Sequence, residues 1–569
     1  MGGEGDGATA LRWRRSYAPG VPYEVEIPEK PLGALLDEAV AEYADHPAID
    51  FLDRTYSYAE LGRLVSQAAC GFQSLGVGPG VKVGLCLPNT PYYIVCFFGV
   101  LKAGGTVVNY NPLYAVRELV HQIEDSETDI MVSLDLAALY GKVAAAFGQS
   151  RLKRIVACRM AGILPFPKNL LFSIFHRAEL ARIPGDERHV PFDALVANEG
   201  RLREVTIDPR QAIAVLQYTG GTTGVPKGAE LTHYNLWANV IQNEVWFPES
   251  ERGCERTLAV LPLFHVFAMT AAMNSPLHFG GLLILLPRFE LAQVLKTIHR
   301  KRPTLFPGVP TMYTAINGYP DLAKYDLSSL KMCVSGGAPL PLEVKRNFEK
   351  LTGCTLIEGY GLSEASPVVC ANPVSGRHKA GSIGVPLPGT EVRIVSVDEP
   401  RRALPPGERG ELWVRGPQVM AGYWHKPAET AETITDGWLH TGDIGYMDED
   451  GYFYIVDRLK EVVIAGGFKI YPRNVEEVLY LHPAVAEAAV VGVPDAYRGQ
   501  TVKAYVVRHK GADLDEAGLS AFLKDKLSPI EMPKIIEFRD QLPKSAVGKI
   551  LKKDLVEEHM KRHNGAEQR

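Results

Sequence analysis

Residues Tyr218 to His233 read YTGGTTGVPKGAELTH, a glycine- and threonine-rich loop with one lysine between an apolar run and a helix-like segment. Such a loop suits a polyphosphate. Gly220, Gly221 and Gly224 carry no Cβ, so the backbone can turn left-handed and come close to phosphate oxygens. Successive N–H groups there form a concave anion site. The Thr219, Thr222 and Thr223 hydroxyls add donors, and Lys227 adds a point charge. The phosphate loop GxxxxGK[ST] is the obvious comparison, and it fails. Pro226 precedes the lysine and Gly228 follows it, so that motif's Mg²⁺-binding hydroxyl is missing. From this stretch alone, a plain glycine-rich surface loop is the alternative.

Four more short motifs follow: GYGLSE at 359–364, HTGD at 440–443, DRLK at 457–460 and PKSAVGKI at 543–550. In this order after TGGTTGVPKG they resemble the adenylate-forming superfamily of acyl-CoA synthetases, luciferases and peptide-synthetase adenylation domains. The resemblance spans roughly residues 30 to 555, nearly the whole chain. It implies ATP and Mg²⁺ as requirements and coenzyme A as co-substrate. A carboxylate would attack the α-phosphorus and expel pyrophosphate, and a thiol would then take the acyl group. The first step asks the protein for positioning and electrostatic stabilisation.

Each candidate residue then has an expected part. The loop from Thr219 to Gly228 would hold the β- and γ-phosphates. Glu364 offers a hard oxygen to Mg²⁺, with Thr219 the matching hydroxyl by resemblance. Tyr360, between Gly359 and Gly361, can lay its ring against adenine. Gly337, Ala338 and Pro339 would form the opposing wall by resemblance. Asp443 can accept from ribose hydroxyls, and Arg458 can donate to ribose or phosphate. Lys549 would meet the α-phosphate and the acyl carboxylate, where charge develops. The resemblance also implies a second state, in which the small domain turns about Lys460. The GGFK segment 466–469, with Gly467, would then face the site for thioester formation.

The acyl pocket is expected from PLFHVFAMTAAMNSPLHFGG (262–281), with His265, Phe267 and Met269 on its wall. An amino-acid substrate would need a buried acid for its ammonium, and none occurs between Leu261 and Pro287. His265 reads as a pocket-shaping group, because the attacking carboxylate is already ionised. The wording closely resembles bacterial long-chain fatty-acid CoA ligases. Two departures stand out: Ser363 where threonine is usual, and Met269 where some relatives carry a gating tryptophan. A fatty acid and CoA are therefore the first expectation for the substrates. An aryl-acid CoA ligase, an acyl-AMP ligase serving a carrier-protein thiol, and a non-catalytic nucleotide-binding scaffold stay open.

These residues must be held by elements, and the chain alternates helix and strand patterns from residue 21. Ser57 and Glu60 form a capping box before a helix that ends near Gly76. VKVGLCL (81–87), PYYIVCFFGVLKAG (91–104) and GTVVNY (105–110) read as strand, helix and strand. That rhythm predicts an α/β class with parallel sheets under helices, ligands lying at the carboxyl ends of the strands. The expected organisation is a flexible tail over 1–20, a large multi-subdomain α/β domain over 21–459, and a small mobile α+β domain over 460–569.

At 569 residues the chain is too long for one core. A formal charge of -5 leaves no nucleic-acid footprint. Eight cysteines without a CxxC pair fit reduced thiols and a cytoplasmic location. The N-terminus has no apolar signal core, Asp6 breaks the myristoylation pattern, and no run reaches about 18 apolar residues. One stretch, RMAGILPFPKNLLFSIFHR (159–177), mixes apolar residues with Arg159, Lys168 and Arg177. It is a candidate for peripheral contact with the inner membrane surface, or for a segment packed on the domain. A homodimer is an allowed assembly.

Overall fold

The run from Pro91 to Leu101 is apolar on every side, and a helix of that kind must be buried all round. It is: Pro91–Lys102 forms a helix whose residues through Leu101 are all buried. Gly99 lets it lie against Ala68 of the preceding helix, Tyr58–Ser74, with room for little more than a hydrogen. That helix begins at the Ser57–Glu60 capping box, both reciprocal hydrogen bonds being present.

The computed structural model describes residues 12–219, 226–399, 401–495, 497–546 and 548–567. The helices cover two large sheets. One has eight strands, with a parallel body of Ile213–Thr219, Thr106–Asn109, Lys82–Cys86, Thr128–Leu134, Arg154–Cys158 and His189–Pro191. The other has nine, with a parallel run from Pro47–Phe51 through Leu282–Leu285, Arg256–Ala259, Leu305–Gly308 and Met332–Ser335 to Thr355–Gly361. A five-stranded antiparallel sheet follows, containing Gly410–Arg415, Trp438–Met447 and Phe453–Arg458.

A separate hydrophobic core begins at Val463. Its sheet pairs Val485–Asp495 with Gly499–Arg508 antiparallel, and Ile535–Arg539 lies parallel on the far side. The mixed α/β architecture with a smaller α+β unit is thus the observed one. All eight cysteines are free thiols. Among the described residues, no helix is long and apolar enough to cross a membrane.

Residues 12–20 depart from the expected tail. Residues 1–11 lie outside the described residues, but from Arg12 the chain is docked. Trp13 is only 2% exposed, edge-on to Phe453 at 6.0 Å, and Ser16 Oγ donates to the carbonyl of Asp450 at 2.7 Å. Gly451 permits this, since a Cβ there would stand 2.5 Å from the Trp13 backbone. An indole buried against a distant strand anchors the segment, an effect that local composition does not reveal.

Candidate active site

Strand ends and tight turns deliver the site. Thr219 ends one strand and Lys227 opens the next, and the two residues face each other in antiparallel register. Gly220, Gly221, Thr222, Thr223 and Gly224, between them, lie outside the described residues. On the neighbouring sheet, Thr355–Gly361 runs into the sharp turn at Gly361, whose Cβ would stand 2.0 Å from the carbonyl oxygen of Pro367. No larger residue fits that approach. Glu364 follows in the single turn Ser363–Ala365.

These residues line one cavity of about 1230 Å³. Thr219 and Lys227 are on its wall with Gly337, Ala338, Pro339, Tyr360, Gly361 and Glu364. Asp443 and Arg458 reach it from paired strands, where they are direct cross-strand partners. Arg458 Nε lies 3.3 Å from the Asp443 carboxylate, and the Tyr360 hydroxyl donates to Asp443 at 2.5 Å. Asp443 is buried but compensated by these two donors, which keeps a buried charge tolerable.

Lys549 enters the same cavity from the C-terminal unit. Its loop is closed by Ser545 N–H donating to the Lys549 carbonyl at 2.8 Å and Gly548 N–H to that of Ser545 at 2.9 Å. Gly548, at φ +77°, is in the left-handed region, and a Cβ there would lie 2.8 Å from Thr311 Oγ1. The lysine is thus carried on a turn pressed against the large domain. Burial, with the Arg458 guanidinium alongside, pushes its ammonium down to about 8, against the opposing pull of Glu461 and Asp443.

His265 also lines the cavity. Its Nδ1 accepts from the N–H of Phe267 at 3.3 Å, and burial followed by the Lys549 charge pushes its pKa down to about 4. It is a neutral imidazole whose position is fixed by the following turn. Phe267 lines the cavity as expected, but Met269 does not. Met269 is fully buried, with its sulphur accepting from Asn109 Nδ2 at 3.7 Å, so it backs the wall from the core side. The cause is local: Met269–Asn274 forms π-helical turns, which rotate the side chains off the 3.6-residue register. Gly467 is not among the described lining residues either. It sits with Gly466 at the tip of the hairpin Val463–Ala465 and Phe468–Ile470, with open space around its Cα.

The sequence motifs point to strand-and-loop segments that the fold brings to one cavity, and the decisive observation is how much of the chain they organise. The AMP-binding enzyme family matches residues 36–424, and its AMP-binding enzyme C-terminal domain matches 474–549. The chain belongs to the AMP-binding enzyme family. Among AMP-binding enzymes it is 45% identical to the long-chain-fatty-acid–CoA ligase of Bacillus subtilis (strain 168), over 97% of this chain and 99% of that one. It is 38% identical to the feruloyl-CoA synthase of an Amycolatopsis species, over 87% of this chain and 92% of that one. The crystal structure of ATP-bound MatB from Rhodopseudomonas palustris overlays with a TM-score of 0.81 at 30% identity, covering 93% of this chain and 99% of that one.

Two cavity residues of this AMP-binding enzyme carry no signal in the motifs above. Tyr423 donates to Glu364 Oε1 at 2.8 Å, and its ring sits 5.1 Å from Lys227 Nζ. It therefore stands between the lysine and the carboxylate, although it lies 59 residues beyond Glu364 in sequence. Glu358 precedes the GYG turn and is buried. Burial pushes its carboxyl up to about 7 against the opposing charges of Arg473 and Lys345. Its position in an apolar strand with a glycine on the C-terminal side was the one available cue.

Proposed function

We propose that this enzyme activates a fatty acid with ATP and then passes the acyl group to CoA. In the first half-reaction a carboxylate oxygen bonds to the α-phosphorus, and the bond to the bridging oxygen of pyrophosphate breaks. In the second, the CoA sulphur bonds to the acyl carbon and AMP leaves. The observation that carries this reading is the meeting of Lys549 with Asp443, Arg458, Glu364, Thr219 and Lys227 in one cavity, which is also lined by the apolar row Phe267, Ala271 and Phe279, the acyl arm of this reading. Lys549 supplies fixed positive charge where the α-phosphate and leaving group become more negative. Asp443, held by Tyr360 and Arg458, presents an acceptor to the ribose. Neutral His265 shapes the entrance of the acyl arm and takes no proton.

Thr219 and Glu364 fit Mg²⁺, since a hydroxyl and a carboxylate on one wall are the hard oxygen donors that cation prefers. Bound there with phosphate oxygens, the ion would offset their charge. Tyr423 orients the Glu364 carboxylate toward the cavity.

An aliphatic chain suits the arm better than an aryl ring. Phe267, Ala271, Ser275 and Phe279 all line it at intervals of four residues, a row that follows the helical segment from Val266 to His278. A single ring would leave most of that row uncovered. The feruloyl-CoA synthase likeness keeps the aryl acid as the second reading. Pyrophosphate release by purified protein with ATP and Mg²⁺ separates them. Hexadecanoate, dodecanoate, coumarate and benzoate are each supplied with and without CoA. Sustained release on the straight-chain acids only with CoA supports the proposal. Preference for the aryl acids, or release indifferent to CoA, overturns it.

The proposal extends to a lipid surface as the place of work. The helix Lys168–Phe175 has no buried residue, and Phe166 is 82% and Phe175 75% exposed beside exposed Leu170, Leu171 and Ile174. So large a patch of apolar side chains is unusual on a soluble surface. Phe172 points the other way and packs on the main core. Two of the three flanking cations are paired, Arg159 with Asp193 and Lys168 with Asp53, which leaves Arg177 beside a contact that is chiefly apolar. Replacing Leu170, Leu171 and Ile174 with Ser should reduce co-sedimentation with neutral liposomes several-fold. Unchanged co-sedimentation would remove this part of the proposal.

A further inference from the structure

The wall of the acyl arm carries polar atoms that have nothing to bond. Phe267 lies at the nucleotide end, where its ring closes on Gly336. Descending the row from there, Ala271 is followed by Ser275 and then Phe279. Asn243, in the last turn of the helix His233–Trp246, lines the same cavity. That helix is fastened to Ser275–His278 at this level. The Trp237 ring meets His278 edge-on at 5.4 Å, and His278 Nε2 is 2.9 Å from the Glu244 carboxylate. Asn243, next to Glu244, and Ser275, in the same turn as His278, therefore sit on joined elements of the cavity wall.

Asn243 is 5% and Ser275 4% exposed, yet neither Asn243 Nδ2 nor Ser275 Oγ has a hydrogen-bond partner. Asn274, the residue before Ser275, is wholly buried with both amide atoms unpaired, at the end of the π-helical turns that so often mark functional positions. Buried polar atoms facing a cavity are costly unless something entering the cavity satisfies them. A tunnel made only for a methyl-ended chain would be cheaper with apolar residues there.

We infer that Asn243 and Ser275 form a subsite for an oxygenated chain end, and that the enzyme prefers fatty acids bearing an ω-hydroxyl at the length that reaches it. The hydroxyl donates to or accepts from Ser275 Oγ and accepts from Asn243 Nδ2. This inference rests on the fatty-acid reading and narrows it to a substrate class.

The test compares kcat/KM for ω-hydroxy acids with that for unsubstituted acids of the same length, over a ladder from octanoate to octadecanoate. At one length the unaltered enzyme should favour the hydroxy acid about tenfold, the worth of one net hydrogen bond. Shorter hydroxy acids, whose ends stop in the apolar stretch, should be disfavoured. Asn243→Leu should cut the ratio about tenfold at the favoured length, with Ser275→Ala acting in the same direction, and melting temperatures confirming that both variants fold. Turnover of unsubstituted acids with a ratio at or below one at every length overturns the inference and leaves the fatty-acid reading intact. The polar atoms would then hold water only. Turnover of no aliphatic acid overturns both.

Discussion

Lys549 and Tyr423 concentrate the chemistry at the scale of single residues. A lysine ammonium pushed down to about 8 is charged below that pH and loses its charge above it. The kcat/KM for pyrophosphate release should therefore fall as pH rises through about 8, since that parameter reports groups of the free enzyme. Lys549→Arg keeps a cation through the whole range, so its slower rate should lack this falling limb. A limb at the same pH in the arginine variant would assign it to another group. Tyr423 acts through Glu364, whose oxygen it fixes at 2.8 Å. Tyr423→Phe should raise the Mg²⁺ concentration for half-maximal rate by about tenfold, as expected when a metal ligand loses its orienting partner. The KM for the acid should stay the same; a change confined to that constant would contradict this role.

At the scale of elements, glycine turns decide where side chains arrive. Gly548→Ala would add a Cβ at φ +77° and 2.8 Å from Thr311 Oγ1, so the Lys549 turn must shift off the large domain. Pyrophosphate release should fall about tenfold or more, while thioester formation from supplied acyl-adenylate is kept. Equal loss in both would contradict this and mean that the substitution disrupts the C-terminal unit as a whole. Such turns are also what the sequence states openly. The Ser57–Glu60 box, the GYG turn and the strand-then-glycine rhythm are local rules, and the corresponding elements stand where those rules put them. Met269 and Phe172 were less legible, because each depends on which way a short or π-wound helix faces its neighbours. Tyr423 and Trp13 were not legible at all. Their partners, Glu364 and Phe453, are distant in sequence and meet them only after the sheets have formed.

At the scale of the whole molecule, the cavity is complete only because two units with separate cores share it. Lys549 is inside while Gly466 and Gly467 stand in the open at a hairpin tip, an arrangement that suits the first half-reaction. Polar contacts join the two units beside it. Arg473 donates to the Ile455 carbonyl at 2.6 Å, and its backbone N–H donates to Asp457 at 2.9 Å, close to the link at Lys460. Contacts of this kind allow domains to move, and a turn about that link would exchange Lys549 for the glycine hairpin. The most direct test of this division of labour is Lys549→Ala, assayed on each half-reaction separately with the straight-chain acid that the native enzyme turns over best. Pyrophosphate release from acid and ATP should fall by about a hundredfold or more, while conversion of supplied acyl-adenylate and CoA to thioester stays within about twofold of the native rate. Parallel loss of both half-reactions, or undiminished pyrophosphate release, would contradict it.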